Sequence, residues 1–384
     1  MNNDVIVANL KRLRGAKAIS QDRVAETAGL SRSAYRNIES GKSQPRVRNL
    51  EAIAGALQVS VRELLEPVAE LTNVRFRSYK KLRTRSQILT DVGRWLADHN
   101  GLEEVLNSRR PFRLQGVAAK AGDGGDRAVA AARAARAALG LTEYEPVRDM
   151  CGLLDSAGVK VFPLTVASDG FFGLSIGPSD GGPAVVVNTW ERISVERWIF
   201  SAAHELGHLL LHLDDYGQDA QEEDDAHERE ADAFAAEFLM PDAVFRREWA
   251  ETYGLPLVDR VIKVKRIFRV SYRTVLYRLA SEYKGWAPNI WIHFQSDYKR
   301  ATGQSLSKTD EPAALADREF MTAAPEVHRG REPDHLSAGD FREDRLAGLV
   351  RRATEAGEIS LGRAAEILGL SLKDMRALSA SWVG

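Results

Sequence analysis

Phe200-Ser-Ala-Ala-His-Glu-Leu-Gly-His-Leu-Leu-Leu-His212 is an apolar run with no Pro and one Gly, a composition that predicts a buried helix. On such a helix His204 and His208, four residues apart, share a face, so both imidazoles can reach one Zn²⁺. Glu205 stands beside them, where it can take a proton from a water activated by the metal. His212 lies one turn further along the same face. A rigid helix separates it from His204 by about 12 Å at a rise of ~1.5 Å per residue, too far for both to hold one ion. His212 is therefore expected to play a structural part beside the site.

Two histidines leave zinc short of a third protein ligand, which a nearby downstream helix should supply. The candidate is His227-Glu-Arg-Glu-Ala-Asp-Ala-Phe-Ala-Ala-Glu-Phe-Leu-Met-Pro241. Ala231, Phe234, Ala235, Phe238 and Leu239 follow a helical period, and Pro241 ends it. Glu228 and Asp232 share a face, whereas Glu230 points to another side. Glu228 as ligand and Asp232 as acceptor for a ligating ring N–H make a coherent pair, with Glu230 the competing ligand. The alternative is a solvated acidic face, because Glu222, Glu223, Asp224 and Asp225 precede the segment.

These residues carry a family resemblance. The stretches Pro183-Ala-Val-Val-Val-Asn188, Ala203-His-Glu-Leu-Gly-His-Leu-Leu-Leu-His212, Glu228 to Pro241 and Leu276-Tyr-Arg-Leu279 together resemble an ImmA/IrrE-type metallopeptidase, over roughly residues 145–285. The resemblance implies a zinc-type peptidase with Glu as third ligand, whose relatives cut DNA-binding repressors. Carried over by position, it makes His204, His208 and Glu228 the metal ligands and Glu205 the catalytic base. Zn²⁺ is the implied metal, with Mn²⁺ as the alternative.

The first 65 residues hold eleven Lys/Arg against six Asp/Glu, a local balance of +5 within a chain of net charge −1. They read as five short helices. Ser20-Gln21 opens one, Gly29-Leu30 makes a tight turn, and Ser31 caps the next, Arg32 to Glu39. Leu50, Ile53, Ala54 and Leu57 form a further amphipathic face. The layout resembles the Cro/C1-type helix-turn-helix module, which implies that the second motif helix enters the major groove. Arg32, Ser33 and Asn37 are then the base-reading candidates, with Arg36 close behind. Gln21, Arg46 and Arg48 are candidates for phosphate. Useful specificity from one such module implies a homodimer on operator DNA.

At 384 residues the chain can bury two or three cores, and no apolar run approaches the ~20 residues of a membrane span. The N-terminus shows no secretory pattern and Cys151 is the single cysteine, so a cytoplasmic protein without disulfides is expected. The fold class read from these patterns is mainly α with a small β-sheet. A helix-turn-helix domain is expected over 1–66, a helical linker over 67–127, a zincin-like peptidase domain over 128–285, and a loop followed by helices over 286–384. Within the peptidase region, a helix at 145–157 precedes strands at Val159–Phe162, Phe171–Ile176 and Ala184–Val187. The basic run Arg75 to Arg85 reads as the solvated face of a connecting helix. Ile359 to Leu378 again reads as helix, Gly-Leu turn, helix. A second DNA-binding motif is the lesser reading, because Arg363 and Lys373 alone make no basic stripe; a hairpin packed on the peptidase or a partner is expected there. The functional expectation is a DNA-binding regulatory peptidase that cuts a repressor or antitoxin-like protein. The competing reading is a transcription regulator whose metal domain senses metal or ligand with little proteolysis.

Overall fold

The computed structural model describes residues 3–17, 19–65, 71–78, 85–117, 126–142, 144–216, 225–282, 289–307, 310–312 and 336–382. Residues 217–224, with Glu222, Glu223 and Asp224 ahead of the second ligand helix, lie outside these, as do residues 118–125, where Gly122-Asp-Gly-Gly-Asp126 reads as a turn. The described chain is mainly helical with one small sheet, as the residue patterns predict. It divides into two compact units: residues 1–71 with 81–97, and residues 72–80 with 98–384. Among the described residues no helix is long and apolar enough to cross a membrane.

The first unit contains α1 (Asn3–Ala16), α2 (Gln21–Thr27), α3 (Arg32–Glu39), α4 (Val47–Leu57) and α5 (Val61–Leu65). Ser20 and Ser31 begin α2 and α3 by accepting backbone N–H groups from Arg23 and Ala34, satisfying donors that the first helical turn leaves open. Between them Gly29 takes φ +65°, a left-handed conformation that costs glycine little. Ile6, Leu10, Tyr35, Leu50, Ile53 and Leu57 fill the core. One charge goes inside with them. Glu39 receives Arg14 Nε at 2.5 Å, the Tyr35 hydroxyl at 3.2 Å and the amide of Gln21. Burial would raise its pKa, but hydrogen bonds from Arg14 and Gln21 outweigh that and hold Glu39 below its ordinary value.

The second unit is built on β1 (Val74–Ser78), β2 (Lys160–Leu164), β3 (Phe171–Ile176) and β4 (Ala184–Asn188), in the order β1-β3-β4-β2. β3 runs antiparallel to both β1 and β4, and β2 runs parallel to β4. β1 corrects the sequence reading: its part of the basic run is a strand, not a helix face, with Arg75 opposite Ser175. Expected helical content elsewhere largely holds. α6 is Arg85–Val105, α7 is Arg127–Ala138, and the helix expected from 145 narrows to α8, Met150–Ser156. Pro146 disfavours helix in the residue before it, and Asp149 supplies the cap by accepting Gly152 N–H at 2.9 Å.

The motif helix α9 (Val195–Leu211) is buried along nearly its whole length, against the sheet on one side and α10 (Asp225–Leu239) on another. Its close approach to α10 depends on Gly207, where a Cβ would come within 3.1 Å of Phe234 Cδ1 and 3.3 Å of Ala231 Cα. Helices α11 (Asp242–Glu251), α12 (Leu257–Phe268) and α13 (Tyr272–Glu282) complete the core. Lys265 of α12 meets Glu196 of α9 at 2.9 Å and Glu311 at 2.8 Å, so this buried ammonium is doubly paired. Helix α14 (Ile290–Thr302) stands where the loop expected from 286 should begin, and Phe294 and Tyr298 bury its inner face. At the C-terminal end stand α15 (Arg345–Glu355), α16 (Leu361–Leu368) and α17 (Leu372–Ala380).

Candidate metal centre and nucleic-acid face

Packing α9 against α10 brings together residues far apart in sequence. His204 Nε2 and His208 Nε2 lie 2.9 Å apart. Glu228 caps the pair, with Oε2 3.3 Å from His204 Nε2 and Oε1 3.1 Å from His208 Nε2. Tetrahedral bonds of ~2.1 Å around one ion would separate its ligand atoms by about 3.4 Å, so this triangle fits a zinc-sized cation with little adjustment. Both imidazoles are fully buried. Burial pushes the His208 pKa far down, which favours the neutral ring that a metal requires.

The far side of each ring has a partner. His204 Nδ1 is 2.7 Å from Asp232 Oδ1, and His208 Nδ1 is 3.0 Å from His212 Nδ1. His212 Nε2 in turn lies 2.9 Å from Glu230 Oε2. One tautomer assignment satisfies all of these contacts. His204 and His208 carry hydrogen on Nδ1 and His212 carries it on Nε2, leaving both ligating Nε2 lone pairs turned toward Glu228. Glu230, expected to point away, reaches the end of α9 and engages His212. A glutamate near the start of a helix has enough side-chain reach to turn toward a neighbour crossing there.

Glu205 is buried on the sheet side of α9, and its Oε2 accepts the Ser175 hydroxyl at 2.8 Å. Ser175 accepts in turn from the Tyr216 hydroxyl at 2.6 Å. Burial raises the Tyr216 pKa, so the phenol stays protonated and remains a donor. Above the other carboxylate oxygen sits Gly173, where a Cβ would come within 3.0 Å of Glu205 Oε1 and 2.8 Å of Val186 O. A glycine therefore keeps space beside Glu205. Asn188 fixes the loop leading into β3, donating to Phe171 O at 2.8 Å and Val166 O at 2.9 Å.

Sequence reasoning missed Arg75. From β1 its Nη2 lies 3.4 Å from Glu228 Oε1 and its Nη1 3.3 Å from His227 Nδ1. Nothing in a run of arginines marks the one that turns inward; only its register opposite Ser175 does so. Ser175 and Tyr216 were missed for the same reason, since neither lies in a motif.

In the first unit, Arg32, Ser33, Arg36 and Asn37 all lie on the exposed side of α3, while Tyr35, Ile38 and Glu39 are buried behind them. Arg32 pairs with Asp22 at 2.5 Å, but both side chains are more than half exposed, so the pair is weak and easily exchanged for phosphate. Gln21 is half-buried with its amide on Glu39; Arg46 and Arg48 are exposed.

A helix-turn-helix module joined to a His-Glu-x-x-His helix that faces an acidic helix defines a DNA-binding regulator with a protease-like domain. Comparison with family models agrees: residues 154–280 match the IrrE N-terminal-like domain, a peptidase family, and residues 10–64 match the helix-turn-helix family. No curated protein matches the chain.

Proposed function

We propose that the chain is a DNA-bound metallopeptidase that hydrolyses a peptide bond in a repressor or antitoxin-like protein and so derepresses the genes that protein controls. His204, His208 and Glu228 would hold Zn²⁺, with Mn²⁺ as the alternative. Such an ion supplies Lewis acidity that polarises a water and the scissile carbonyl. Asp232 orients His204, and the His212–Glu230 pair orients His208, each by accepting a ring N–H. Glu205 accepts the proton as water oxygen adds to the carbonyl carbon. It then delivers that proton to the amide nitrogen as the C–N bond breaks. Ser175 holds Glu205 by one oxygen through these steps. Arg32, Ser33, Arg36 and Asn37 face operator bases, and Gln21 stands near the backbone.

The observation that carries this reading is Glu205: a buried carboxylate beside the two histidines, positioned by Ser175 and Tyr216, is needed for hydrolysis and not for sensing a metal. The test uses the purified chain and its Glu205→Gln variant, with metal content measured alongside cleavage of repressor-type proteins encoded nearby. The variant should keep one equivalent of metal and lose cleavage by at least ~100-fold. Normal cleavage by the variant would end the proposal. Bound metal without cleavage of any candidate would favour the sensor.

A further inference from the structure

The C-terminal helices repeat the DNA-binding motif. Ser20-Gln-Asp-Arg-Val-Ala-Glu-Thr-Ala-Gly-Leu-Ser31 aligns without gaps with Ser360-Leu-Gly-Arg-Ala-Ala-Glu-Ile-Leu-Gly-Leu-Ser371, and Arg36 falls on Arg376. The geometry repeats too. Ser360 accepts Arg363 N–H at 3.2 Å and Ser371 accepts Asp374 N–H at 3.1 Å, as Ser20 and Ser31 accept from Arg23 and Ala34 at 3.2 Å each. Gly369 takes φ +64° where Gly29 takes +65°. The turn is closed by Leu370 N–H to Ala365 O at 2.9 Å, matching Leu30 N–H to Ala25 O at 2.9 Å. The charged pair recurs, Arg363–Glu366 at 3.1 Å for Arg23–Glu26 at 3.0 Å, with Arg363 the more buried of the two arginines and also paired with Asp98. Ala364, Ala365 and Met375 are buried where Val24, Ala25 and Tyr35 are, and α15 packs against α16 as the supporting helix.

We infer that α15–α17 form a second helix-turn-helix, and that α17 contacts duplex DNA. The positions corresponding to Arg32, Ser33, Arg36 and Asn37 are Leu372, Lys373, Arg376 and Ala377, all exposed. Two cations there can meet phosphate or guanine, and the apolar pair suits thymine methyl groups. Over 343–382 acidic and basic residues balance, six of each, so few phosphates are engaged. The chain thus brings two reading helices to DNA, where a single-module repressor needs two copies.

The test is binding of the full chain to a fluorescent mixed-sequence duplex, by anisotropy across a salt series. Lys373→Ala/Arg376→Ala should weaken binding and lower the slope of log K against log salt by about 1 for each phosphate no longer neutralised. Combining it with Arg32→Ala/Arg36→Ala should weaken binding beyond either double variant. Unchanged affinity and slope would overturn the inference. A second measurement does not depend on substitution of the cations: an Ala377→Cys chain carrying a thiol-linked photo-crosslinker should crosslink to the duplex. The native Cys151 is buried and does not compete. Crosslinking only to protein would overturn the inference and make α17 a protein-contact helix.

Discussion

Gly207 is the residue on which the assembly of the candidate metal centre turns. Its missing side chain lets α10 settle on α9 near enough for Glu228 to reach both imidazoles. A methyl group there meets Phe234 and the Ala231 backbone, so Gly207→Ala should push α10 outward and weaken metal binding, while the ~1 kcal/mol that alanine gains over glycine inside a helix offsets the strain in overall stability. Chelator competition alongside thermal melting would check both effects; metal affinity equal to wild type would show that the helices have slack. Arg75 bears on the same carboxylate from the sheet. Its cation shares Glu228 with any bound metal and repels it, so Arg75→Gln should tighten metal binding, by a factor of about ten at moderate screening. Weaker binding in that variant would instead mean that Arg75 holds Glu228 in place.

At the scale of elements, the buried Glu39 links α1, α2 and α3 and gives the helix-turn-helix a pH signature. Its folded-state pKa is depressed, so the stabilisation is present above the unfolded value of ~4.3 and is lost as pH falls through it toward the folded value. The first unit should therefore melt progressively earlier below about pH 5, and Glu39→Gln should flatten that dependence while lowering stability at neutral pH. Circular dichroism melts across pH would show it. Elements such as α3, α9 and α10 were legible in the sequence because apolar period, caps and chemistry coincide within each of them. β1 was not, because a strand of alternating Arg announces neither its partner nor its inner face. The Glu228–Asp232 pairing could be read from helical spacing, whereas Glu230 reaching His212 depends on how two helices cross. The C-terminal motif was visible as helix, turn, helix, but weighing it by charge put a packed hairpin ahead of its correspondence with α2 and α3.

For the whole molecule, the C-terminal helices are tied to the rest of the second unit by largely buried charge. Arg345 of α15 meets Glu103 at 2.6 Å, Asp155 at 3.1 Å and the Ser108 carbonyl at 2.7 Å. Lys160 at the start of β2 also reaches Glu103, at 3.4 Å. Arg345→Ala would take one partner from each carboxylate while leaving Glu103 with Lys160 and Asp155 with Arg110, so a loss of about 1–3 kcal/mol is expected in denaturant unfolding of the full chain. The path of the chain carries a further consequence. It leaves the first unit at residue 71, lends residues 72–80 to the second, returns for 81–97 and only then departs for good. No single cut separates the two units. A truncation begun at Asp98 to isolate the peptidase would discard β1 and Arg75 along with the DNA-binding helices, leaving the backbone of β3 as a raw edge open to another chain. Anyone trimming this protein for crystallisation or expression should therefore graft rather than clip, keeping 72–80 joined to the chain from 98 onward.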